Sequence, residues 1–282
     1  MRQGWIYAAT LVSMVVATRD AGAFCRTTTT PTPAGYDPTV DGCWTQGSDI
    51  AWLWDQHVGY QLDAAASRQI SLADATRAAD QAFAQWNSVV CPGGQSPNVT
   101  AVDNGPVSAA TVAAECGSTP CDPSLPGAYH LIVFRDDGWE YDDPANTLAL
   151  TTVTYGVDSA VLFNAEIEIN SHDHMLTTTE PPPPGSFDLQ TILTHEAGHF
   201  LGLAHATKET SVMYAYYSDD ARALSDDDIA GICAAYPPAA SQNAGVSCAL
   251  GAPGGPVREE RGGALLGAGA ALLALVWVRR KR

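Results

Sequence analysis

Basic side chains are scarce in this sequence. Only 14 of the 282 residues are lysine or arginine, against 31 aspartates and glutamates. Eight of those 14 lie in the first 23 or the last 25 residues, so residues 24–257 carry 6 basic and 28 acidic side chains, a formal charge of −22. A body with this charge repels nucleic-acid phosphates and anionic lipid surfaces, because both are strongly negative. We therefore exclude nucleic acid as a partner and expect high solubility.

Long apolar runs are absent from the interior of the sequence and occur only at its ends. At the first end, Arg2 precedes an apolar stretch over 5–18 and the small residues Ala21, Gly22 and Ala23. A charged start, a short apolar middle and a small-residue cleavage site are typical of a secretory signal peptide. We predict a signal peptide over 1–23, cleaved after Ala23. The alternative, a membrane anchor, is less favoured because about 14 apolar residues span a bilayer poorly.

The second apolar run, over 263–278, is followed by Arg279, Arg280, Lys281 and Arg282. Its length is near the lower limit for a membrane helix, and a basic cap holds such a helix with its C-terminus in the cytoplasm. We predict a hydrophobic helix with a basic cap over 262–282, which leaves the preceding body outside. Residues 239–261 are rich in glycine, alanine, serine and proline and are predicted to be a flexible linker.

The sequence contains no Cys-x-x-Cys pair, which makes zinc ligation by cysteine a weak hypothesis. In an exported chain, disulfides are the expected state of the seven cysteines. Six would form three bridges in the body, and Cys248, alone in the linker, is left over. The pairing cannot be deduced from spacing. A Cys25–Cys43 bridge would tie down the mature N-terminus, and a Cys116–Cys121 bridge would close a short loop.

Hydrophobic periodicity predicts one α+β or mixed α/β domain over 24–238 with three helices. The apolar spacing and the Ser71/Asp74 capping signal predict a helix over 71–88. Further helices are predicted from Asp188 or Ser186 to about Leu201 and from Ser225 to about Tyr236. Strands are predicted over 98–102, 129–134, 148–155 and 161–169.

The stretch THEAGHFLGLAH, residues 194–205, carries the strongest chemical signal. On a helix, His195 and His199 are four residues apart, so their imidazoles project from one face and can share a metal ion. Glu196 need not be a ligand, since it can face the open position of the ion and accept a proton from water there. We predict Glu196 as the catalytic base.

The third histidine requires the helix to stop. On an unbroken helix, His205 would lie about 15 Å beyond His195 at about 1.5 Å per residue. Gly202 lies between them and can adopt the left-handed conformation that ends a helix and turns the chain back. Three neutral imidazoles with one exchangeable position form a tetrahedral catalytic Zn²⁺ site. A closed structural zinc site would leave Glu196 unexplained.

The pattern H-E-x-x-H-x-x-G-x-x-H, followed by Met213 in SVMY, resembles that of the metzincin metalloproteases, and its short interval resembles the matrixin branch. The resemblance implies a metzincin-like domain with a twisted mixed sheet and a Met-turn, in which Met213 lies beneath the zinc imidazoles. It also implies that Tyr214 and Tyr217 line a substrate pocket and that the strand near 148–154 is the edge to which an extended peptide adds.

Several features depart from the family pattern or lie outside it. The chain shows no propeptide cysteine of the kind that blocks zinc in matrixins, and Ala215 replaces the proline that is common after the Met-turn. Ca²⁺ is a possible second cofactor, which we do not map to residues. His172 and His174 can be read as second-metal ligands or, more simply, as part of a solvated loop. The lone Cys248, apolar run and terminal arginines resemble the C-terminal sorting signals of myxobacterial surface proteins.

We therefore predict a secreted or surface-anchored zinc endopeptidase of bacterial type, monomeric, that acts on protein or peptide substrates and meets the membrane only through its C-terminal tail. The main alternative is a surface adhesion or binding protein that retains the fold and the metal with little turnover. Zinc-dependent hydrolysis of a non-peptide bond is a third reading, since it would use the same ligands in a different cleft.

Overall fold

A six-stranded mixed sheet organises the part of the chain that the computed structural model describes, residues 23–53, 56–108 and 130–238 together with the backbone of 268–271. From one edge to the other, the strands, whose ranges close this paragraph, are ordered β10–β5–β6–β4–β2–β3. β5 is antiparallel to both of its neighbours, and the remaining pairs are parallel. The strands are β2 (Gln56–Leu62), β3 (Val99–Asp103), β4 (Leu131–Phe134), β5 (Ala149–Gly156), β6 (Leu162–Ile169) and β10 (Ala268–Ala271).

Two short strand pairs accompany this sheet. β1 (Cys25–Arg26) pairs antiparallel with β9 (Leu203–Ala204), which joins the start of the described body to the chain just after the zinc-motif helix. β7 (Met175–Thr177) pairs parallel with β8 (Ser186–Asp188), directly before that helix. Both pairs therefore fix the chain on either side of the predicted metal site.

Three helices lie where the sequence predicts them, and each begins at a side chain that caps it. They are α2 (Leu72–Asn87), capped by Ser71; α3 (Leu189–Phe200), capped by Asp188; and α4 (Asp226–Ala235), where Ser225 and Asp228 form a reciprocal capping box. A further single turn, α1 (Pro38–Asp41), was not predicted. The α+β class and the mixed sheet are thus confirmed, with a fourth, short helix added.

The four predicted strands are also present, as β3, β4, β5 and β6, within two residues of their predicted ends. The prediction omitted β2, although Val58, Tyr60 and Leu62 are buried at alternate positions along it, the pattern of a half-buried strand. Glycine at position 59 in the middle of this run weakens the strand signal. The predicted sheet therefore lacked the strand that lies between β3 and β4.

The core lies between the sheet and helices α2 and α3. Aromatic rings link the layers: Tyr60 of the sheet stacks on Phe83 of α2 with ring centroids 4.1 Å apart, and Phe83 meets the edge of Phe200 of α3. The indole N–H of Trp86 donates to the backbone oxygen of Thr194 at 2.9 Å. This buried bond holds α2 against α3 within the zinc motif itself.

Two disulfides occur among the described residues. Cys25–Cys43, one of the pairings that the sequence left open, is present and ties down the N-terminal segment. Cys91–Cys233 joins the chain after α2 to α4 across 142 residues of sequence, a pairing that the spacing could not indicate. Cys116, Cys121 and Cys248 lie outside the described residues, as does the signal segment over 1–22.

The C-terminal segment is described only at residues 268–271, which are extended rather than helical. The rest of the helix predicted over 262–282 and the linker over 239–261 lie outside the described residues. Among the helices that the structure describes, none combines the length and the apolar character needed to cross a bilayer.

Gly202 ends α3 as the sequence indicates. Its φ is +84°, and its N–H donates to the backbone oxygen of His199 at 2.8 Å, a bond typical of a left-handed helix end. A Cβ at this position would lie 2.7 Å from the backbone oxygen of Ile50. Two independent constraints, the backbone conformation and the packed carbonyl, therefore require glycine here.

We predict that Gly202→Ala lowers the free energy of unfolding by about 2–4 kcal/mol, the sum of a left-handed alanine and a backbone clash. The matched control is Gly185→Ala, because Gly185 has a φ of +87° but nothing within 4 Å of an added Cβ. This control should lose only about 1–2 kcal/mol. Urea unfolding of the two chelator-treated variants measures the difference, and equal losses would show that the Ile50 contact is unimportant.

Candidate metal centre

The structure brings the three predicted ligands together. His195 and His199 lie on α3, and the turn at Gly202 returns the chain through β9 to His205. The imidazole centroids are 4.6 Å apart for His195 and His199, 5.2 Å for His195 and His205, and 4.9 Å for His199 and His205. One nitrogen from each ring lies within 4.8 Å of the other two. The broken helix thus produces the convergence that the motif predicts.

Backbone carbonyls orient two of the rings. Nδ1 of His195 lies 2.7 Å from the oxygen of Val212, and Nδ1 of His199 lies 2.8 Å from the oxygen of Leu203. Because a carbonyl only accepts, each Nδ1 must carry the proton, so that Nε2 carries the lone pair with which an imidazole binds a metal. The two Nε2 atoms face each other at 2.9 Å, and Nε2 of His205 is buried with no hydrogen-bond partner.

These nitrogens fit a Zn²⁺ ion. Tetrahedral Zn–N bonds of about 2.0–2.1 Å place neighbouring ligand nitrogens about 3.3 Å apart, close to the observed 2.9 Å. Two Nε2 lone pairs that face each other without a proton between them repel, and a buried acceptor without a donor costs free energy. A cation at their centre removes both penalties, so the arrangement suits a bound metal better than a hydrogen-bonded histidine cluster.

Burial keeps the three imidazoles neutral. It lowers the pKa of His195 to about 4 and lowers the pKa values of His199 and His205 well below the usual value. Mutual repulsion among the rings acts in the same direction for His199 and His205. Since a metal binds only the neutral imidazole, the site is in the binding form at neutral pH.

Glu196 is fully buried beside these ligands. Thr151 of β5 donates a hydrogen bond of 2.5 Å to Oε2, while Oε1 is buried without a partner. Burial raises the pKa of the Glu196 carboxyl to about 8, and the bond from Thr151 opposes the rise. One oxygen is therefore held and the other has no partner; burial favours the neutral carboxyl, whereas the positive charge of a bound metal ion would favour the carboxylate.

Met213 lies directly under the helix that carries the ligands. A Cβ added to Gly198 would lie 2.1 Å from the Met213 sulfur, so the close approach of this methionine to α3 requires glycine at position 198. Asp228 holds the turn in place from α4, because its buried carboxylate accepts hydrogen bonds from the N–H groups of Val212 and Met213 and from the hydroxyl of Ser211. Val212 is the residue whose carbonyl orients His195.

The predicted pocket residues Tyr214 and Tyr217 line a cleft of about 1490 Å³. The Tyr217 hydroxyl accepts a hydrogen bond from the N–H of Asp188, the cap of α3, at 2.9 Å, and its ring packs against Phe187. Arg222 binds the Asp188 carboxylate through two nitrogens. The wall of this cleft is therefore anchored to the start of the helix that carries the histidines.

His172 and His174 do not converge on a common point. His172 is exposed beside Asp173, whereas His174 is buried with Nε2 3.0 Å from the backbone oxygen of Pro144. Within the described ranges, the histidine triad is the one cluster of three or more potential ligands.

The sequence predicted a role for the three histidines and Glu196 but gave none to three residues that contact them or their helix. Thr151, Gly198 and Asp228 contact the site from β5, α3 and α4. Thr151 gave no signal, because a threonine in an apolar strand reads as an ordinary strand residue. Asp228 lies three residues after the cap Ser225, and the bonds that it accepts from the turn at Val212 leave no pattern in the sequence.

Comparison with known proteins agrees with this geometry. Residues 132–237 match the family model for matrixin, peptidase family M10. A probable matrix metalloproteinase of Invertebrate iridescent virus 3 is 30% identical over 100 residues, which cover 36% of this chain and 26% of that protein. Matrix metalloproteinase-26 of Homo sapiens is 30% identical over 98 residues, 34% of each chain. Metalloendoproteinase 1-MMP of Arabidopsis thaliana is 42% identical over 53 residues, 18% of this chain and 15% of its own.

The chain thus spans about a third or less of the length of these curated relatives. The matched region contains most of the parallel strand β4, the antiparallel strand β5, the three histidines and the Met213 turn. The family match over 132–237, the mixed sheet and the converging imidazoles lead to one assignment for this region: it is a matrixin-like metzincin domain.

Proposed function

We propose that this protein is a zinc-dependent endopeptidase. The observation that carries the proposal is a buried carboxyl next to His195 in the helix, Glu196, with one oxygen held by Thr151 and the other without a partner, together with three imidazoles that converge within 4.8 Å. A structural zinc site would not need a carboxylate held in this way. The names of the matched relatives, all metalloproteinases, support the same reaction class.

His195, His199 and His205 would hold the ion, which when bound supplies a Lewis acid that acidifies water and polarises a carbonyl. Glu196 accepts a proton from the attacking water and passes it to the departing amine as the peptide bond breaks. Thr151 keeps the carboxylate oriented, since its bond leaves Oε1 as the oxygen that exchanges the proton. The carbonyls of Val212 and Leu203 maintain the imidazole tautomers throughout.

We propose an extended protein or peptide as the substrate. The outer edge of β5, the side away from β6, pairs with β10 over Val153–Gly156, and Thr151 of the same strand contacts Glu196. A peptide that adds to this edge gains backbone hydrogen bonds and lies alongside the carboxylate. The pocket walled by Tyr214 and Tyr217 would receive the side chain that follows the scissile bond. Export, attachment to the cell surface through the tail and a monomeric state belong to the same proposal.

Replacing the base tests the assigned chemistry. We expect Glu196→Gln to bind zinc as the native protein does but to lose at least about 100-fold in kcat/KM on casein or a peptide, because the amide cannot accept the proton. The exposed Glu140 provides the matched control, and Glu140→Gln should retain full activity. Near-native turnover by the Glu196→Gln variant would contradict the role of Glu196 and favour another hydrolytic mechanism.

Zinc content tests the ligand set independently of turnover. We expect the native protein to hold one zinc per chain after dialysis, to lose it and its activity to a chelator, and to recover both with added Zn²⁺. His205→Ala should bind zinc more than about 100-fold more weakly, since even outer partners of metal ligands contribute 10- to 100-fold. The exposed His172 gives the control variant, His172→Ala. Unchanged zinc affinity in His205→Ala would remove this residue from the site.

Activity also separates the enzyme from a binding protein that retains the fold. If the zinc-loaded native protein digests neither casein nor gelatin while its metal content is normal, the adhesion alternative is favoured.

A further inference from the structure

The outer edge of β5 already carries a strand from the same chain. β5 pairs on one side with β6 along nearly its whole length. On its other side it pairs antiparallel with β10, with Ala268 opposite Gly156, Gly269 opposite Tyr155, Ala270 opposite Thr154 and Ala271 opposite Val153. The edge that an extended substrate would use is therefore occupied over these four positions.

The occupied positions adjoin the candidate active site. Val153, where the β10 pairing ends, is two residues from Thr151, whose hydroxyl binds Glu196. Two residues of a strand correspond to about 7 Å. Because β10 runs antiparallel to β5, its C-terminal end is the end nearer to Thr151. The segment is thus placed on the same edge and directed toward the same carboxylate as the peptide in the proposed reaction.

From this placement we propose that the C-terminal segment containing residues 268–271 is an intramolecular competitor for substrate. The inference rests on the proposed function, since it concerns the same edge of β5. One row of β5 backbone groups can pair with only one strand at a time. A substrate that extends along Val153–Gly156 must therefore displace β10, and release of the tail, by proteolysis or by its removal to a membrane, would raise activity.

The length of the intervening chain allows this docking within one molecule. Residues 239–267, between the body and β10, comprise 29 residues, which reach about 95 Å when fully extended. Much of this connection, residues 239–261, is predicted from sequence to be a linker, and a linker of this length gives an effective concentration of the order of millimolar. The sequence Ala-Gly-Ala-Ala offers little apolar side-chain area, so backbone bonds and the tether supply the affinity. A protein substrate at high concentration can therefore displace the segment.

Cross-linking tests the docking without reference to activity. Directly opposed residues of antiparallel strands have Cα atoms about 4.5–5.5 Å apart, within the range that a disulfide bridges. In the full chain, the pair Thr154→Cys with Ala270→Cys should form a disulfide under mild oxidation, identified by peptide mapping. The pair Val157→Cys with Ala270→Cys is the control, because Val157 is exposed but three positions out of register. Equal yields from both pairs, or none from the first, would overturn the docking.

Kinetics test the competition. Proline in a strand removes a backbone donor, so Ala270→Pro should release β10 from β5. In the full chain we expect this variant to lower KM for an extended peptide by about threefold or more at unchanged kcat, as loss of a tethered competitor predicts. Ala244→Pro, in the linker, is the matched control and should behave as the native chain. Equal KM values for the native chain and Ala270→Pro would overturn the competition.

The two experiments separate this inference from the proposed function. In-register cross-linking together with zinc-loaded chains that show no hydrolysis in any variant would contradict the endopeptidase and leave the docked strand established. Hydrolysis with no preference for the in-register pair would contradict the docked strand and leave the endopeptidase established. In-register cross-linking together with a lower KM in Ala270→Pro is the result expected from both.

Discussion

The protonation and direction of two imidazoles depend on two backbone carbonyls, and the rest of the metal centre depends on those imidazoles. The oxygens of Val212 and Leu203 accept from Nδ1 of His195 and His199, so that both Nε2 lone pairs face one point. Leu203 follows the turn at Gly202, and Val212 lies in the turn held by Asp228. A side chain on residue 202 or the loss of a carboxylate in α4 would therefore disturb the ligands without touching them.

Local sequence signals, the helix-capping residues and the glycine of the motif, predicted much of the fold and of the candidate site. Capping residues at positions 71, 188 and 225 marked the starts of the long helices, and the positive φ required at Gly202 followed from the need to return His205 to the site. What could not be predicted depends on tertiary contacts. The bond from Thr151 to Glu196 joins residues 45 apart, and the Cys91–Cys233 bridge joins residues 142 apart. Neither distance leaves a periodic signal in the chain.

Gly198, inside the histidine motif, is another residue whose role depends on tertiary contacts and could not be predicted from the sequence. It occupies one of the two variable positions between His195 and His199, where helix propensity would favour alanine. The sulfur of Met213 lies where its Cβ would be. The approach of the Met-turn to α3 therefore determines the residue, which sequence reasoning assigned no role. Trp86 occupies the same region, since a Cβ on Gly198 would also lie 2.8 Å from its ring. Helix α2, the Met-turn and α3 thus meet at a point that only glycine can occupy.

The outer edge of β5 matters both for the stability of the sheet and for the proposed binding of substrate. An open strand edge presents unpaired N–H and C=O groups that attract other extended chains, and proteins commonly cover such edges. Here a covered edge would be protected but unable to take substrate, whereas a bare edge would bind substrate and also invite association. The proposed displaceable strand would satisfy both requirements, because β10 pairs with β5 through its backbone and would leave the edge when substrate binds. Tail binding weak enough to yield to substrate is therefore a physical requirement of an enzyme that both protects this edge and uses it.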